Sequence, residues 1–200
     1  HSVQCGLKGE TLGDIVSRTI AVIGLSGVVF QDRIGLIAFD RDSYLVEPPK
    51  GGKKQVHRLL DLYRQPQGSY LIPMRNESIA EVISGSLRRT SMIVVVSDFL
   101  FPEAQSVIKE LTDIRSGHDI FLVMVDGSFP FEIGALSDGW INGVDVETGE
   151  EKLLSGSEFK KLGRRGRAYQ KEMELFSEKH GLEIVNTGTN KEDLTGILAD

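Results

Sequence analysis

Apolar residues between positions 11 and 30 recur mostly at steps of three and four, which places them on one face of a helix. Similar periodic patterns, bounded by glycine or proline, follow further along the chain. We therefore predict helices at residues 11–30, 51–62, 77–87, 102–117, 157–180 and 191–198.

Short apolar runs of strand length lie between these helices. The runs at 92–96 and 120–125 are uninterrupted, which is typical of parallel strands buried on both faces. Together with the runs at 34–39 and 182–185, they predict one open, mainly parallel, doubly wound sheet. Helices should cover both faces of this sheet, as in an α/β fold.

Two further segments are expected to form short paired strands. Residues 43–46 should pair with the strand at 34–39 and end before Pro48, because proline interrupts a strand. Residues 139–154 are interpreted as a small β-hairpin insertion with its turn at 147–150.

The composition fits one soluble domain over residues 1–200. The 200 residues are 40% hydrophobic and 26% charged, which is enough to bury a core without disulfides. A net charge of −6 gives no overall attraction to nucleic acid or anionic lipid. The single cysteine, Cys5, cannot form an internal disulfide, and we expect no apolar run to approach the roughly 20 residues needed to cross a bilayer. We therefore expect a cytoplasmic chain.

Acidic residues follow both uninterrupted apolar strands. Asp98 comes after the strand at 92–96, and Asp126 comes directly after the strand at 120–125. Because parallel strands present their carboxyl ends at one edge of a sheet, both carboxylates should reach the same edge. Asp98 there is either a cap or turn residue or a ligand of a hard cation, and both interpretations stay open.

Three motifs give the chain a family resemblance. Residues 32–39 (DRIGLIAF), 93–100 (IVVVSDFL) and 144–150 (VDVETGE) occur in this order, and the combination is more specific than any one of them. The chain thereby resembles the MoxR-associated, von Willebrand factor A-like family, long catalogued as the fifty-eighth domain of unknown function. The resemblance runs from about Ser2 to the C-terminus.

The resemblance implies a metal-ion-dependent adhesion site built from three loops. Asp98 matches the aspartate of the third loop, and Ser2 matches the last serine of the first loop. Where the family has a threonine, this chain has Glu77 with Ser78 beside it. These four residues are therefore the candidate ligands of a magnesium ion, which prefers oxygen donors. Helix caps are the alternative explanation for Asp98 and Ser78.

The resemblance also implies that the first, central strand of the sheet and the leading aspartate of the metal motif are missing from this chain. We accordingly expect residues 1–200 to be an N-terminally truncated piece of a longer protein. Metal binding in this form should be weak or absent, because a hard cation needs several placed oxygens.

The interpretation that follows is a protein-binding adaptor and not an enzyme. The apolar residues beside Asp98 suit a partner-binding surface, and a basic run on the long helix suits an acidic partner. The candidate partner-binding residues are Phe99, Leu100, Phe101, Arg164 and Arg165. The family resemblance implies a MoxR-type AAA+ ATPase as the partner and a role in complex assembly or maturation.

Two alternatives stay open. The first is a magnesium-dependent phosphoryl-transfer or receiver-like enzyme that uses Asp98 or Asp126, although the sequence shows no helper residues for it. The second is a structural domain of a membrane-tethered protein, in which this chain would lie at the cytoplasmic face of the membrane.

Overall fold

The computed structural model describes residues 6–7, 10–40, 42–64, 71–126, 140–144 and 151–187. The helices are α1 (Leu12–Val29), α2 (Lys53–Arg64), α3 (Ile79–Ser86), α4 (Ala104–Ile114) and α5 (Gly156–Lys179). The strands are β1 (Gly6–Leu7), β2 (Glu10–Thr11), β3 (Ile34–Phe39), β4 (Ser43–Lys50), β5 (Ile72–Pro73), β6 (Met92–Ser97), β7 (Asp119–Val125), β8 (Trp140–Val144), β9 (Glu151–Ser155) and β10 (Glu183–Thr187). The predicted helix at 191–198 and turn at 147–150 lie outside the described residues.

Three strands form a parallel sheet in the order β10-β7-β6. The uninterrupted apolar runs supply β6 and β7, as the sequence predicts, and β7 is central and almost wholly buried. Leu122 and Met124 of β7 pack in a core with α3, α4 and α5. Val125 packs instead with Leu12 and Ile15 of α1. Helices therefore cover both faces of this sheet, in agreement with the predicted α/β fold.

Among the described residues β3 is not hydrogen-bonded to the parallel sheet, which differs from the prediction of one continuous sheet. β3 pairs antiparallel with β4, and β4 pairs antiparallel with β5, so these strands form a second sheet. The connection between β3 and β4 is short, and the amide of Asp40 donates to the Ser43 carbonyl at 2.8 Å. A connection of this length permits only an antiparallel hairpin, because a parallel partner would need a long crossover.

β4 also continues through Pro48 instead of ending before it. The register shifts between Ile34 and Leu36, so the proline pair lies at a bulge, where a strand tolerates missing amides. A Cβ on the facing Gly35 would lie 2.8 Å from the Glu47 carbonyl oxygen. Glycine at position 35 therefore lets the bulged backbone approach closely.

The facing edges of β3 and β6 have no strand partner among the described residues. Odd-numbered residues of both strands, Ile37 and Val95 among them, pack on the same apolar core. On the other face, α1 packs against Val96 of β6. It also lies close to β3, because a Cβ built on Gly27 of α1 would be 3.0 Å from Ile34 Cγ1. Most of β6 is only half-buried, although helices cover both its faces. The two sheets thus share their helix layers and leave two strand edges unpaired.

α1 is a well-capped, unusually apolar helix. Thr11 and Asp14 form a capping box at its start, with the Asp14 amide donating to Thr11 Oγ1 at 3.2 Å. By length and composition alone α1 would suffice to cross a membrane, a test that core helices of soluble proteins also pass. Here Gly24 lets α1 approach α2, since a Cβ at this position would lie 3.0 Å from Val56 Cγ1. Phe30 at its end is 76% exposed.

The predicted hairpin insertion is confirmed in its strands. β8 and β9 pair antiparallel from Trp140 opposite Ser155 to Val144 opposite Glu151. β9 leads directly into α5, whose first turn is fixed by a capping box between Ser155 and Glu158. The hydrogen bonds from Ser155 lower the pKa of the Glu158 carboxyl.

Candidate functional site

The candidate site lies at the carboxyl edge of the parallel sheet. β6 and β7 run parallel with Ser97 opposite Met124, so Asp98 and Asp126 follow neighbouring strand ends. This placement confirms that the two acidic residues reach the same edge. The Asp126 amide donates to the Thr187 carbonyl at 3.0 Å, which ties the end of β10 to this edge as well.

The loop after β6 has an unusual backbone conformation. Phe99 has a φ of 52°, in the left-handed region that favours glycine. Two side chains stabilise the turn: Ser97 Oγ accepts from the Phe99 amide at 3.0 Å, and Asp98 Oδ1 accepts from the Leu100 amide at 3.2 Å. Asp98 therefore acts as a turn residue and not as a helix cap. It is half-buried.

This conformation directs the Phe99 side chain into the core. Phe99 is 1% exposed and packs among the buried residues beneath the loop, so the expectation that it is exposed at an interface is wrong. Phe101 is half-buried and packs against the same core. Of the three apolar loop residues, only Leu100 is exposed, at 37%. The aromatic residues thus anchor the loop, and Leu100 remains available for contact.

Two side chains of α5 hold the same loop from the side. Gln170, which is buried, donates from Nε2 to the Val125 carbonyl at 3.1 Å and to the Asp98 carbonyl at 3.5 Å. The Tyr169 hydroxyl donates to the Phe101 carbonyl at 3.0 Å. Burial, with smaller contributions from nearby glutamates, raises the pKa of Tyr169. The sequence analysis missed both residues; the only signal was a polar side chain on the apolar face of the long helix.

Two of the candidate magnesium ligands, Ser78 and Asp98, already accept backbone hydrogen bonds. Ser78 caps α3, with its Oγ accepting from the Glu81 amide at 3.2 Å, so its cap interpretation is confirmed. Glu77 is exposed and lines an open polar cleft beside α3. No three His, Cys, Asp or Glu side chains of the described residues lie close enough together to hold a metal. Ser2, the fourth candidate ligand, lies outside the described residues.

The basic run of α5 lies on its first half, as the sequence suggests, and is exposed. Arg164 and Arg165 are exposed together with Lys160, Lys161 and Arg167. All five precede Tyr169 and Gln170, the residues that contact the carboxyl edge of the sheet. The basic side chains therefore lie on a part of α5 that continues past this edge.

Comparison with known proteins supports the family and the fold. The model of the family described as "Protein of unknown function DUF58" matches residues 2–173. The crystal structure of the conserved hypothetical protein BatB from Bacteroides thetaiotaomicron matches with a TM-score of 0.52 at 10% identity, over 98% of this chain and 90% of that chain. At this identity the likeness shows the fold alone. No curated protein sequence matches the chain.

Proposed function

Because the chain belongs to the DUF58 family, as its three motifs indicate, we propose that it is a protein-interaction domain, an adaptor whose carboxyl sheet edge receives a partner protein. One observation carries the proposal. The loop after β6 is held in a strained conformation that buries Phe99 and leaves Leu100 exposed beside Asp98. Strained backbone of this kind concentrates at ligand-binding sites.

The loop is preorganised for binding. Hydrogen bonds from Tyr169 and Gln170, together with the buried Phe99, fix its backbone before any partner arrives. A fixed loop loses little conformational freedom on association, which favours affinity. An apolar side chain next to a carboxylate offers a partner one desolvated contact and one polar contact, as small interface centres do.

The partner in this proposal is a MoxR-type AAA+ ATPase. This part rests on the family resemblance, which associates such domains with MoxR proteins in the assembly or maturation of larger complexes. The association would take place in the cytoplasm, or at the cytoplasmic face of a membrane if the domain belongs to a membrane-tethered protein.

The proposed interaction does not depend on a metal ion. Asp98 Oδ1 and Ser78 Oγ already accept backbone hydrogen bonds, and the described residues hold no group of three or more His, Cys, Asp or Glu side chains that could bind a metal. Adding magnesium should therefore leave the affinity for the partner unchanged. A magnesium-dependent affinity would show that further oxygens, such as that of Ser2, complete a site.

The proposal includes a sheet of the von Willebrand factor A type, in which one more strand separates β3 from β6. Three observations support it. One edge of β3 and one edge of β6 have no strand partner within the described part of the chain, the side chains of the two strands alternate in phase, and the same helix layers cover both sheets. A strand parallel to β6 would end at the carboxyl edge, where α1 begins. Its insertion would join the two sheets into one mainly parallel sheet.

Binding of the purified ATPase to immobilised chain tests the proposal. Leu100→Ser should weaken binding about tenfold, because it removes an apolar contact at the interface centre. Leu175→Ser is the matched control, since Leu175 is also exposed but lies on the part of α5 below the carboxyl edge. Equal affinities for wild type and Leu100→Ser would sink the proposal.

The phosphoryl-transfer alternative at Asp98 or Asp126 stays an untested prediction. Intact mass after incubation with a phosphoryl donor and magnesium would reveal it as a covalent phosphate on the chain.

A further inference from the structure

The long helix α5 continues past the carboxyl edge of the parallel sheet. Gln170 contacts the carbonyl groups of Asp98 and Val125, so position 170 lies level with the carboxyl edge of the sheet. At 1.5 Å per residue, positions 156–169 extend about 21 Å beyond this edge. The β8–β9 hairpin leads into this first half of α5. We call this half the arm.

The arm carries a basic tetrad, which consists of Lys160, Lys161, Arg164 and Arg165. All four side chains are exposed. Within the described ranges of the chain, none of them forms an ion pair. The second half of the same helix differs, since Lys171 pairs with Glu174 at 2.6 Å.

The nearest acidic side chain on the arm does not neutralise the tetrad. Glu158 is one turn from Lys161 and attracts it electrostatically, but its carboxylate accepts hydrogen bonds from the amide and the hydroxyl of Ser155, at 2.9 and 2.7 Å, and forms no ion pair with Lys161. Its role is to cap the helix. The positive charge of the tetrad therefore remains available in a chain whose net charge is −6.

The tetrad is unfavourable for the helix that carries it. Lys160 and Arg164 are four positions apart, as are Lys161 and Arg165, and like charges at this spacing destabilise a helix. Local conflicts of this kind are expected at functional positions, where a partner compensates for them.

We propose that the basic tetrad binds an acidic segment of a protein partner whose carboxylates are spaced one helical turn apart. The two rows of the tetrad, 160 with 164 and 161 with 165, have this spacing. Leu162 lies on the outer side of the row formed by 161 and 165 and is 39% exposed, so it provides an apolar contact beside that row. This inference rests on the proposed adaptor function and adds the chemistry of the partner.

The surface is better suited to a short acidic protein segment than to nucleic acid. Single-stranded nucleic acid is bound by cations interleaved with stacking aromatic side chains, and the segment from Lys160 to Arg165 contains no aromatic residue. The net negative charge of the chain also repels a long polyanion, whereas a short acidic segment meets only the local positive field of the arm.

The test measures binding of a fluorescent helical peptide with glutamates one turn apart, at low and at physiological salt. Wild-type chain should bind the peptide with a strong salt dependence. Arg164→Gln with Arg165→Gln should weaken binding about tenfold. Lys171→Gln with Lys179→Gln changes the net charge equally on the second half of α5, and this control pair should bind like wild type.

Thermal unfolding supplies a second readout. Because the tetrad is locally unfavourable, the variant with Arg164→Gln and Arg165→Gln should unfold at the same temperature as wild type or slightly higher. A loss of binding without a loss of stability supports a binding role. A clear loss of stability would show instead that the two arginines are structural, which would overturn the proposal.

Three other outcomes would also overturn it. These are equal weakening by both pairs of substitutions, no binding of the peptide by wild type, and tighter binding of a single-stranded oligonucleotide or of vesicles containing phosphatidylserine.

Assays with the ATPase separate this inference from the adaptor function. If wild type binds the ATPase and the Arg164→Gln and Arg165→Gln variant binds it equally, the arm proposal fails alone; if the peptide binds and the ATPase does not, the adaptor proposal fails alone.

Discussion

Replacement of Phe99 tests whether the loop after β6 is anchored in the core. Phe99→Ala removes an aromatic side chain that is 1% exposed, so the free energy of unfolding should fall by about 3–5 kcal/mol. The left-handed backbone at φ 52° stays in place in this variant, and it costs a non-glycine residue about 1–2 kcal/mol. Phe30→Ala is the matched control; Phe30 is 76% exposed, and the loss there should be under about 0.5 kcal/mol.

Phe99→Gly separates the side chain from the backbone strain. Glycine relieves the left-handed backbone strain of about 1–2 kcal/mol. It also lowers stability by about 0.5–1 kcal/mol, because a glycine loses more conformational entropy on folding than an alanine does. The glycine variant should therefore be no less stable than the alanine variant, the reverse of the order at an ordinary helix or strand position. Urea unfolding followed by circular dichroism measures all three variants. A loss below about 1 kcal/mol for Phe99→Ala would refute the anchoring and return Phe99 to the list of contact residues.

Two further substitutions test the sheet that contains β3 and β4. Glu47 is buried, and although burial raises the pKa of its carboxyl, hydrogen bonds from Lys50 and Arg58 outweigh that effect and lower it. Glu47→Gln should lower the free energy of unfolding by about 1–2 kcal/mol at neutral pH. Urea titrations should show the difference from wild type shrinking as the pH falls through the lowered pKa, because the wild-type carboxyl then protonates. A difference that is independent of pH would contradict the ion pairs. Gly35→Ala should lower the free energy of unfolding by about 2 kcal/mol or more in the same assay, because the new Cβ would lie 2.8 Å from the Glu47 carbonyl oxygen. Gly85→Ala is the control: nothing lies within 4 Å of a Cβ there, so this change should be neutral or stabilising by up to about 1 kcal/mol.

The sequence predicts the elements of this fold well because their signals are local. The apolar periodicity of residues 11–30 corresponds to α1, and the uninterrupted runs correspond to β6 and β7. Both signals come from residues within one turn or one strand of each other. The spacing of Ser155 and Glu158 also marks the start of α5, since a serine followed three positions later by glutamate is a capping box.

The predicted pairing of β3 with β4 is confirmed, but the separation of these strands from the parallel sheet could not be predicted in the same way. An apolar run of six residues suits a parallel strand and an antiparallel hairpin equally, and the deciding feature is the hydrogen bond between Asp40 and Ser43 in the connection. The strand-breaking effect expected of Pro48 fails for a related reason. A bulge opposite Gly35 removes the need for the proline amides, and a bulge has no clear signal in one sequence.

The candidate site was predictable in position but not in its contacts. Asp98 lies at the predicted sheet edge because strand direction fixes that placement. The burial of Phe99 depends on a left-handed backbone at a non-glycine residue, which no local pattern indicates. The contacts of Tyr169 and Gln170 join positions 68 and 72 residues apart in the chain, so only the folded structure reveals them.

The central claim is that the carboxyl edge receives the partner, and hydrogen–deuterium exchange of the chain with and without the MoxR-type ATPase tests it most directly. Binding should slow exchange in the loop from Ser97 to Phe101 and in the arm of α5, with little change at the opposite edge, where Met92 begins β6. Protection at the Met92 edge, with no change in the loop or the arm, would contradict the claim.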